Sequence, residues 1–276
     1  MDLRNGKKLS IKSFAGGALV AIVTMLLFID DFFRVRAGRR SFLDGGTLVS
    51  FPIATFDRFD ILVDRTIPSI LGQTHQNLEI IVVIDGSHPG LTTRLSEIHD
   101  PRVRVKHLKN RTKYPKSTID RWMVAGWRPR NIGARMARGD WIYWISDDDV
   151  LLPTAVEDLL RLARSSEFES VSGAYLRGDR EQELMLPSVG IDAVGVAVTG
   201  PPAWLTRIYV GRMKWNRHSW LKQWDRPSDY DLLKRMLRVG VRFGHTNSVV
   251  ATQPAVAGTK LAGLKGALQA NEGLDQ

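Results

Sequence analysis

Three consecutive aspartates, Asp147, Asp148 and Asp149, are the residues of this chain best suited to chemistry. They follow the apolar and aromatic run 141–145, which has the length and composition of a buried strand. Adjacent carboxylates repel one another, and Mg²⁺ or Mn²⁺ prefers hard oxygen ligands of this kind. An acidic turn ahead of a helix, where Asp is favoured, is the alternative. The triplet therefore predicts either a cation site or an acidic helix start.

Two further acids occupy similar positions in the chain. Asp57 comes shortly after the predicted strand 47–54, and Asp85 comes directly after the β-branched run 79–84. Ligands of parallel α/β sheets bind at the carboxyl ends of the strands. The coincidence of acids at three such ends favours a metal or nucleotide site over a solvated acidic turn.

The elements that must position these acids alternate between strands and helices, which predicts an α/β fold with a mainly parallel sheet flanked by helices. The predicted strands are 47–54, 79–84, 103–108, 141–145 and 170–176, and the predicted helices are 61–71, 91–98, 131–137, 153–163 and 229–238. Pro68 is expected to disturb the first helix. Residues 187–202, rich in Gly, Pro and small residues, are expected to form a flexible loop.

Composition and charge limit the function further. Of the 276 residues, 43% are hydrophobic and 25% charged, as in an ordinary globular protein, and the chain has no cysteine and so no disulfide. The net charge is +10, and residues 102–138 hold twelve Lys and Arg but one acid. This stretch, expected to be mostly a long loop, points to a phosphate-bearing ligand or an anionic membrane surface. No nucleic-acid-binding motif accompanies it.

Residues 14–29 form an uncharged, mostly apolar run that predicts an N-terminal hydrophobic helix. Sixteen residues span about 24 Å as a helix, somewhat less than the roughly 30 Å hydrocarbon core of a bilayer. A short membrane anchor, a signal segment and a buried helix compete. The anchor is favoured because no small-residue cleavage site ends the run. Basic residues on both sides leave the orientation open, with the catalytic part expected in the cytoplasm.

Four tryptophans occur close together, at Trp204, Trp215, Trp220 and Trp224. Aromatic clusters of this kind belong either to the core or to a surface that stacks on sugar rings. Downstream, Asp229 and Asp231 begin the predicted helix 229–238, where they could simply offset the helix dipole.

Several segments together resemble the inverting glycosyltransferases of family 2, which have the GT-A fold. The matching pieces are VSFPIATFDR, RTIPSILGQT, EIIVVIDGS, RNIGARMARGDWIYWISDDDVLLP and SDYDLLKRML, in the order of the family and across residues 47–245. The resemblance implies a nucleotide-sugar-binding half (47–150) and an acceptor-binding half with the catalytic base (151–250). Outside these halves, composition predicts an N-terminal basic segment with the hydrophobic helix and a linker (1–46) and a flexible tail (251–276).

The resemblance also implies roles for individual residues. Asp148 corresponds to the main ligand of a divalent cation (Mn²⁺ or Mg²⁺) in the DXD-type motif, with Asp149 and Asp147 beside it. Asp229 corresponds to the general base. Ser146 and Ser228 stand where many members carry an acid, and His245 is a doubtful further metal ligand. The expected contacts to the nucleotide-sugar donor come from Thr55, Asp57, Arg58, Asp85, Arg130, Asn131 and Asp147.

The residues are consistent with the chemistry that the resemblance implies. A cation on Asp148 would stabilise a departing diphosphate, and one carboxylate suffices to deprotonate an attacking hydroxyl in a direct, inverting displacement. A sugar nucleotidyltransferase is a second hypothesis, but TFDRFD stands where its Gly-rich basic signature is expected. A non-catalytic domain that binds nucleotide or anionic lipid is a third. The acceptor, whether glycan, lipid-linked or protein, is not identified by any motif in 177–227.

Overall fold

The computed structural model describes residues 11–41, 46–178, 183–187, 201–222 and 227–255. Within them, nine strands form one mixed sheet in the order β3-β2-β1-β4-β8-β6-β9-β5, with β7 paired to β6. The strands are β1 (Val49–Thr55), β2 (Leu78–Ile84), β3 (Val103–His107), β4 (Trp141–Trp144), β5 (Val150–Leu151), β6 (Ser170–Arg177), β7 (Glu183–Met185), β8 (Trp204–Arg207) and β9 (Phe243–Gln253).

The first four strands of the chain run parallel, as predicted, with β1 between β2 and β4. Every residue of β2 and β4 is buried, and so is β1 apart from one position, which explains their continuous β-branched and aromatic sequences. The second half of the sheet is mixed, because β8 runs antiparallel to both β4 and β6 while β9 runs parallel to β6. The α/β fold with flanking helices is confirmed, and the sheet is less uniformly parallel than expected.

Helices cover both faces of the sheet and bury two apolar clusters. One cluster lies under residues 62–71, Leu95 and the helix Ala155–Ser165, and the other lies under Val35 and the helices Trp127–Met136, Ile208–Gly211 and Ser228–Arg238. The helices are α1 (Ile11–Ser41), α2 (Phe59–Ile61), α3 (Ile67–Leu71), α4 (Pro89–Ser96), α5 (Thr118–Met123), α6 (Trp127–Met136), α7 (Ala155–Ser165), α8 (Ile208–Gly211) and α9 (Ser228–Arg238).

The N-terminal hydrophobic helix is present as α1, which is longer than predicted. Its second half packs on the domain, where Val35 is buried and Arg39 donates to Glu169 from Nε (2.7 Å) and Nη2 (2.5 Å). Asp31, fully buried, pairs with Arg235 of α9. None of the helices in the described part of the chain is long and apolar enough to cross a membrane. Membrane association through 14–29 therefore stays a prediction.

Several local predictions need correction. The helix predicted over 61–71 is divided by a π-helical turn (Leu62–Thr66), and Pro68, which was expected to disturb this helix, lies two residues after that turn in α3. The basic stretch contains α5. The helix predicted from 131 begins at Trp127, because Gly126 adopts the left-handed conformation just before it (φ 72°).

The far end of the chain is more ordered than its composition indicated. β9 was not predicted, because its polar residues between Gly244 and Ser248 hide the strand pattern, and it continues to Gln253 within the segment expected to be a tail. The predicted flexible loop and most of the predicted tail lie outside the described residues, at 188–200 and 256–276.

Candidate active site

The carboxyl ends of β1, β2 and β4 meet at one edge of the sheet and open into a cavity of about 410 Å³. Most of the predicted site residues line this cavity, although they come from separate parts of the chain. The lining residues among them are Thr55, Asp57, Arg58, Asp85, Arg130, Asp147, Asp148 and Asp229. The structure does not bring Asn131, Asp149 or His245 to the cavity wall. His245 is exposed on β9.

Asp85 is held rigidly at the end of β2. Its Oδ1 accepts hydrogen bonds from the Thr112 amide (2.9 Å) and hydroxyl (2.6 Å), and its Oδ2 accepts one from the Tyr114 hydroxyl (2.7 Å). The Tyr114 hydroxyl in turn accepts from the Gly126 amide (3.2 Å). This network fixes the carboxylate in one orientation and leaves it positioned to accept a further hydrogen bond from a ligand in the cavity.

An aromatic surface lies beside Asp85. The guanidinium carbon of Arg111 lies 3.4 Å from the centroid of the Phe56 ring, a cation–π contact, and the His88 ring packs edge-on with Phe56 at 5.6 Å between centroids. Phe56 and Arg111 both line the cavity. A flat apolar ring next to a fixed carboxylate is suited to a nucleobase, which has an apolar face and polar edges.

The three adjacent aspartates differ in their surroundings. Asp149 is fully buried, and its Oδ2 accepts from the Ser146 amide (2.8 Å), which closes the turn after β4. The Thr66 hydroxyl supports the same turn by donating to the Asp147 carbonyl (3.1 Å). Asp147 and Asp148 line the cavity. The turn therefore uses one acid internally and presents two to a ligand.

Positive charge near these acids comes mainly from Arg58. Its Nη1 donates to Asp147 Oδ1 (3.4 Å) and contacts Asp148 Oδ2 more closely. Burial, and secondarily the charge of Asp148, raises the pKa of Asp147 to about 6 and that of Asp149 to about 8. One guanidinium therefore leaves the cluster short of positive charge.

The open part of the cluster fits a divalent cation. Asp147 and Asp148 offer hard oxygen ligands on the cavity wall. A bound cation would offset the negative charge that Arg58 alone does not balance. Over the described residues, no three His, Asp or Glu side chains group together as a complete metal site. Mg²⁺ commonly takes only one or two protein carboxylates and completes its shell with substrate phosphates and water. The pair is sufficient for that arrangement and not for a site made of protein alone.

Asp229 approaches the cavity from the first turn of α9. It is half-buried, and its Oδ1 accepts from the Tyr230 amide (2.8 Å). Burial raises its pKa, and this effect exceeds the opposing influences of the Tyr230 amide and the Arg130 charge. A carboxylate with a raised pKa is a stronger base than an ordinary surface aspartate.

Arg130 lines the same cavity as Asp229 and is held there by contacts that the sequence did not reveal. Its guanidinium stacks on the Trp215 ring at 4.7 Å and donates to the Ala125 carbonyl (2.6 Å). The side chain of Asn131 holds the Trp215 backbone: its Oδ1 accepts from the Trp215 amide (2.8 Å) and its Nδ2 donates to the Trp215 carbonyl (3.1 Å). Asn131 thus supports the cavity wall through Trp215, whereas a direct donor contact had been expected.

The tryptophan cluster divides between the two interpretations. Trp204 is fully buried in the core, and Trp215 is buried but contributes to the cavity wall. Trp220 is half-buried beside α9, and Trp224 lies outside the described residues.

Phe56, Arg111 and Tyr114 were missed as site residues. An aromatic residue inside the polar turn TFDR was a usable signal for Phe56, whereas Arg111 and Tyr114 reach the cavity only through the path of the basic stretch.

Comparison with known proteins agrees with this arrangement. The family model described as glycosyl transferase family 2 matches residues 50–118 and 128–225, more than half of the chain. A search of solved structures finds Staphylococcus aureus TarS in complex with UDP-GlcNAc, with a TM-score of 0.58 and 12% identity over 78% of this chain and 60% of that one. A mannosyltransferase from Pyrobaculum calidifontis with GDP-Man and Mn²⁺ aligns with a TM-score of 0.54 and 12% identity, over 89% and 70% of the two chains.

Curated relatives match the same region at low identity. The glycosyltransferase GlyG of Streptococcus pneumoniae is 28% identical over 48% of this chain and 40% of its own length. The poly(ribitol-phosphate) beta-N-acetylglucosaminyltransferase TarP of Staphylococcus aureus is 28% identical over 46% and 36%. The chain therefore spans less than half the length of these relatives. The structural neighbours support the GT-A fold.

Proposed function

The chain belongs to glycosyl transferase family 2, and from this premise we propose that it transfers a sugar from a nucleotide-sugar to an acceptor hydroxyl with inversion. The observation that supports this most is that Asp85, Asp148 and Asp229, from three distant parts of the sequence, line one cavity. These carboxylates correspond to the three tasks of the reaction: holding the nucleoside, holding the diphosphate through a cation and deprotonating the acceptor.

At the nucleotide end, Asp85 accepts a hydrogen bond from the nucleoside while the base rests against Phe56. The orientation of Asp85 is fixed in advance by Thr112 and Tyr114, so little ordering is needed when the donor binds. Arg130, held on Trp215, offsets diphosphate charge from the opposite wall.

Asp147 and Asp148 would hold Mg²⁺ or Mn²⁺ at the diphosphate, and Arg58 would share the negative charge. When bound, the cation supplies Lewis-acid stabilisation of the departing nucleoside diphosphate. Asp149, predicted as a second metal ligand, instead supports the turn through Ser146 in this proposal. The Pyrobaculum calidifontis neighbour is a complex with GDP-Man and Mn²⁺, which supports the use of a divalent cation in this proposal.

Asp229 acts as the general base. The acceptor hydroxyl transfers its proton to a carboxylate oxygen of Asp229 as its oxygen attacks the anomeric carbon from the side opposite the diphosphate. Attack from that side inverts the anomeric centre and needs no second nucleophilic carboxylate. The raised pKa of Asp229 favours this proton transfer.

The decisive variant is Asp229→Asn, which keeps the shape of the side chain and removes the base. We expect transfer to fall by about 10²- to 10⁴-fold, while Mn²⁺-dependent binding of UDP or GDP, followed by thermal stabilisation, stays within about twofold. The control is Asp60→Asn, because Asp60 is an exposed acid outside the cavity. Retained transfer in Asp229→Asn would remove Asp229 as the base, and a wild-type protein that binds no nucleotide would remove the donor assignment.

We also propose that α1 attaches the protein to a membrane. The support is the row of exposed apolar side chains at Leu19, Ile22, Met25 and Leu26, in a helix whose other end is tied to the domain. Replacing these four residues with Ser or Gln should reduce co-sedimentation with lipid vesicles and leave folding intact. Unchanged co-sedimentation would contradict the proposal. The cytoplasmic placement of the domain stays a prediction.

A further inference from the structure

Exposed cations without carboxylate partners collect at one side of the cavity mouth. Lys109, Arg111, Lys113, Lys116 and Arg121 are all exposed, and within the described residues none of them forms an ion pair. We call these five residues the basic rim.

Some other arginines at the surface are paired with acids. Arg94 contacts Asp64 and Glu97, each at 2.7 Å, and Arg161 contacts Glu157 and Asp158 at 3.3 and 3.1 Å. The basic rim differs from these pairs, because residues 109–121 hold five Lys and Arg but one acid, Asp120, and so carry a clear net positive charge.

The basic rim reaches both the cavity and the helix that carries the proposed base. Arg111 and Arg121 line the cavity wall. The helix α5, which carries Arg121, packs against the 3₁₀ turn Ser219–Leu221, and the same turn packs against α9. Asp229 stands in the first turn of α9, so α5 lies on the side of the cavity from which an acceptor hydroxyl would reach the base.

Apart from Arg111, which packs on the Phe56 ring beside the proposed nucleobase site, the donor has no need of these cations in the proposed mechanism. Its diphosphate is served by Arg58, Arg130 and the cation at Asp147 and Asp148. The outer members of the rim, Lys113 and Lys116, do not line the cavity. Because the rim extends along a loop and a helix and does not converge on one point, it suits a ligand that carries more than one anionic group.

We propose that the acceptor is a phosphodiester-bearing molecule, whose phosphates lie along the basic rim while its hydroxyl faces Asp229. This proposal rests on the proposed function, since it concerns the second substrate of the same site. Lys113 and Lys116 act as flexible point charges, and the planar guanidinium of Arg121 can make paired hydrogen bonds to one phosphate. The chemistry recognised is a repeated phosphodiester with free hydroxyls.

The test uses a fluorescein-labelled glycerol phosphate oligomer as probe and measures its binding to the full chain by fluorescence anisotropy, with saturating UDP and Mn²⁺. We expect wild-type binding to weaken as salt rises, and an uncharged glycerol-based oligomer of equal length to bind at least about tenfold more weakly. Failure of the probe to bind the wild-type protein would overturn the proposal.

Variants then localise the binding. Lys113→Gln with Lys116→Gln removes two side chains that make no structural contact in the described residues, and it should weaken probe binding about tenfold. Arg121→Lys keeps the charge and should weaken it by about twofold to fivefold through loss of the planar fork. The control, Arg65→Gln with Arg164→Gln, removes two exposed cations that do not line the cavity and should leave binding within about twofold.

Two further measurements separate the alternatives. If the rim variants weaken UDP binding as much as probe binding, the rim belongs to the donor site and the proposal is overturned. If phosphatidylglycerol vesicles bind through the same lysines while the oligomer does not compete, the rim is a membrane surface, which also overturns it. Loss of nucleotide binding in the wild-type protein, with rim-dependent probe binding intact, would instead count against the proposed function alone.

Discussion

Two groups of buried acids in this protein are partnered very differently. At the cavity, Asp147 and Asp148 share the guanidinium of Arg58, and the adjacent Asp149 accepts from the Ser146 amide. Between α1 and α9, Asp31 and Asp231 are matched by Arg235 and Lys222: Arg235 bonds to both acids, and Lys222 bonds to Asp231. We call this second group the α1–α9 cluster. The first group has one cation for three carboxylates, whereas the second has one cation for each of its two carboxylates.

The pKa values follow this difference in part. Burial raises the pKa of Asp231, but the charges of Arg235 and Lys222 outweigh it and hold the pKa below its usual value. At the cavity, burial and the neighbouring carboxylates raise the pKa of Asp147 and Asp149. A balanced cluster joins two helices and responds little to ligands, whereas an unbalanced cluster retains affinity for a cation from outside.

Breaking the balance of the α1–α9 cluster should produce the largest effect. Arg235→Met leaves Asp31 and Asp231 buried with Lys222 as their remaining partner, and we expect a loss of about 3–5 kcal/mol in the free energy of unfolding. Urea denaturation measures it. The control is Arg94→Gln, which removes a surface cation paired with Asp64 and Glu97 and should cost far less stability. Equal losses in the two variants would show that the cluster contributes no more than a surface ion pair.

The corresponding change at the cavity should affect binding more than stability. Asp148→Asn removes one of three repelling acids, so we expect the unfolding free energy to change by less than about 1 kcal/mol. Mn²⁺-dependent nucleotide affinity should fall by about 100-fold, because one of the two cavity-facing carboxylates no longer holds the cation. Titration calorimetry with UDP or GDP measures this at fixed Mn²⁺. If Asp148→Asn instead lowered the free energy of unfolding and kept its Mn²⁺-dependent nucleotide affinity, the contrast between the cavity acids and the α1–α9 cluster would be wrong.

The smallest expected effect is on the pH dependence of stability, and it tests how well the charges of the α1–α9 cluster are balanced. Burial, opposed by the charge of Arg235, raises the pKa of Asp31 from 3.8 to about 6. The folded state therefore binds a proton more tightly than the unfolded state, so this group stabilises the fold below about pH 4 and loses that contribution as pH rises to about 6.

Asp31→Asn should remove this dependence. The stability of the wild-type protein relative to Asp31→Asn should fall by about 2 kcal/mol between pH 4 and pH 6 and become constant above about pH 7. Denaturation series at several pH values measure the difference. A difference that rises over the same interval would mean that Arg235 lowers the pKa of Asp31 and that the cluster is more tightly balanced than described.

The sequence predicted the position of the site better than the contacts within it. Strand composition indicated where β1, β2 and β4 end, and parallel topology then brings Asp57, Asp85 and the triplet to one edge. The separate role of Asp149 was not predictable, because neighbouring identical residues differ only in the direction that the turn gives them. Asn131 and Tyr114 act through partners 84 and 29 residues away, and such pairings are set by tertiary packing.

The charges of α1 affect how a shortened form of the protein should be prepared. Removing the apolar N-terminal segment is the obvious way to ease handling in solution, and a cut at the start of β1 looks natural in the sequence. Such a cut would also discard Asp31 and Arg39, leaving Arg235 and Glu169 buried without these partners. A shortened protein that keeps the chain from before Asp30 retains both contacts, and its behaviour then reports on the apolar segment alone.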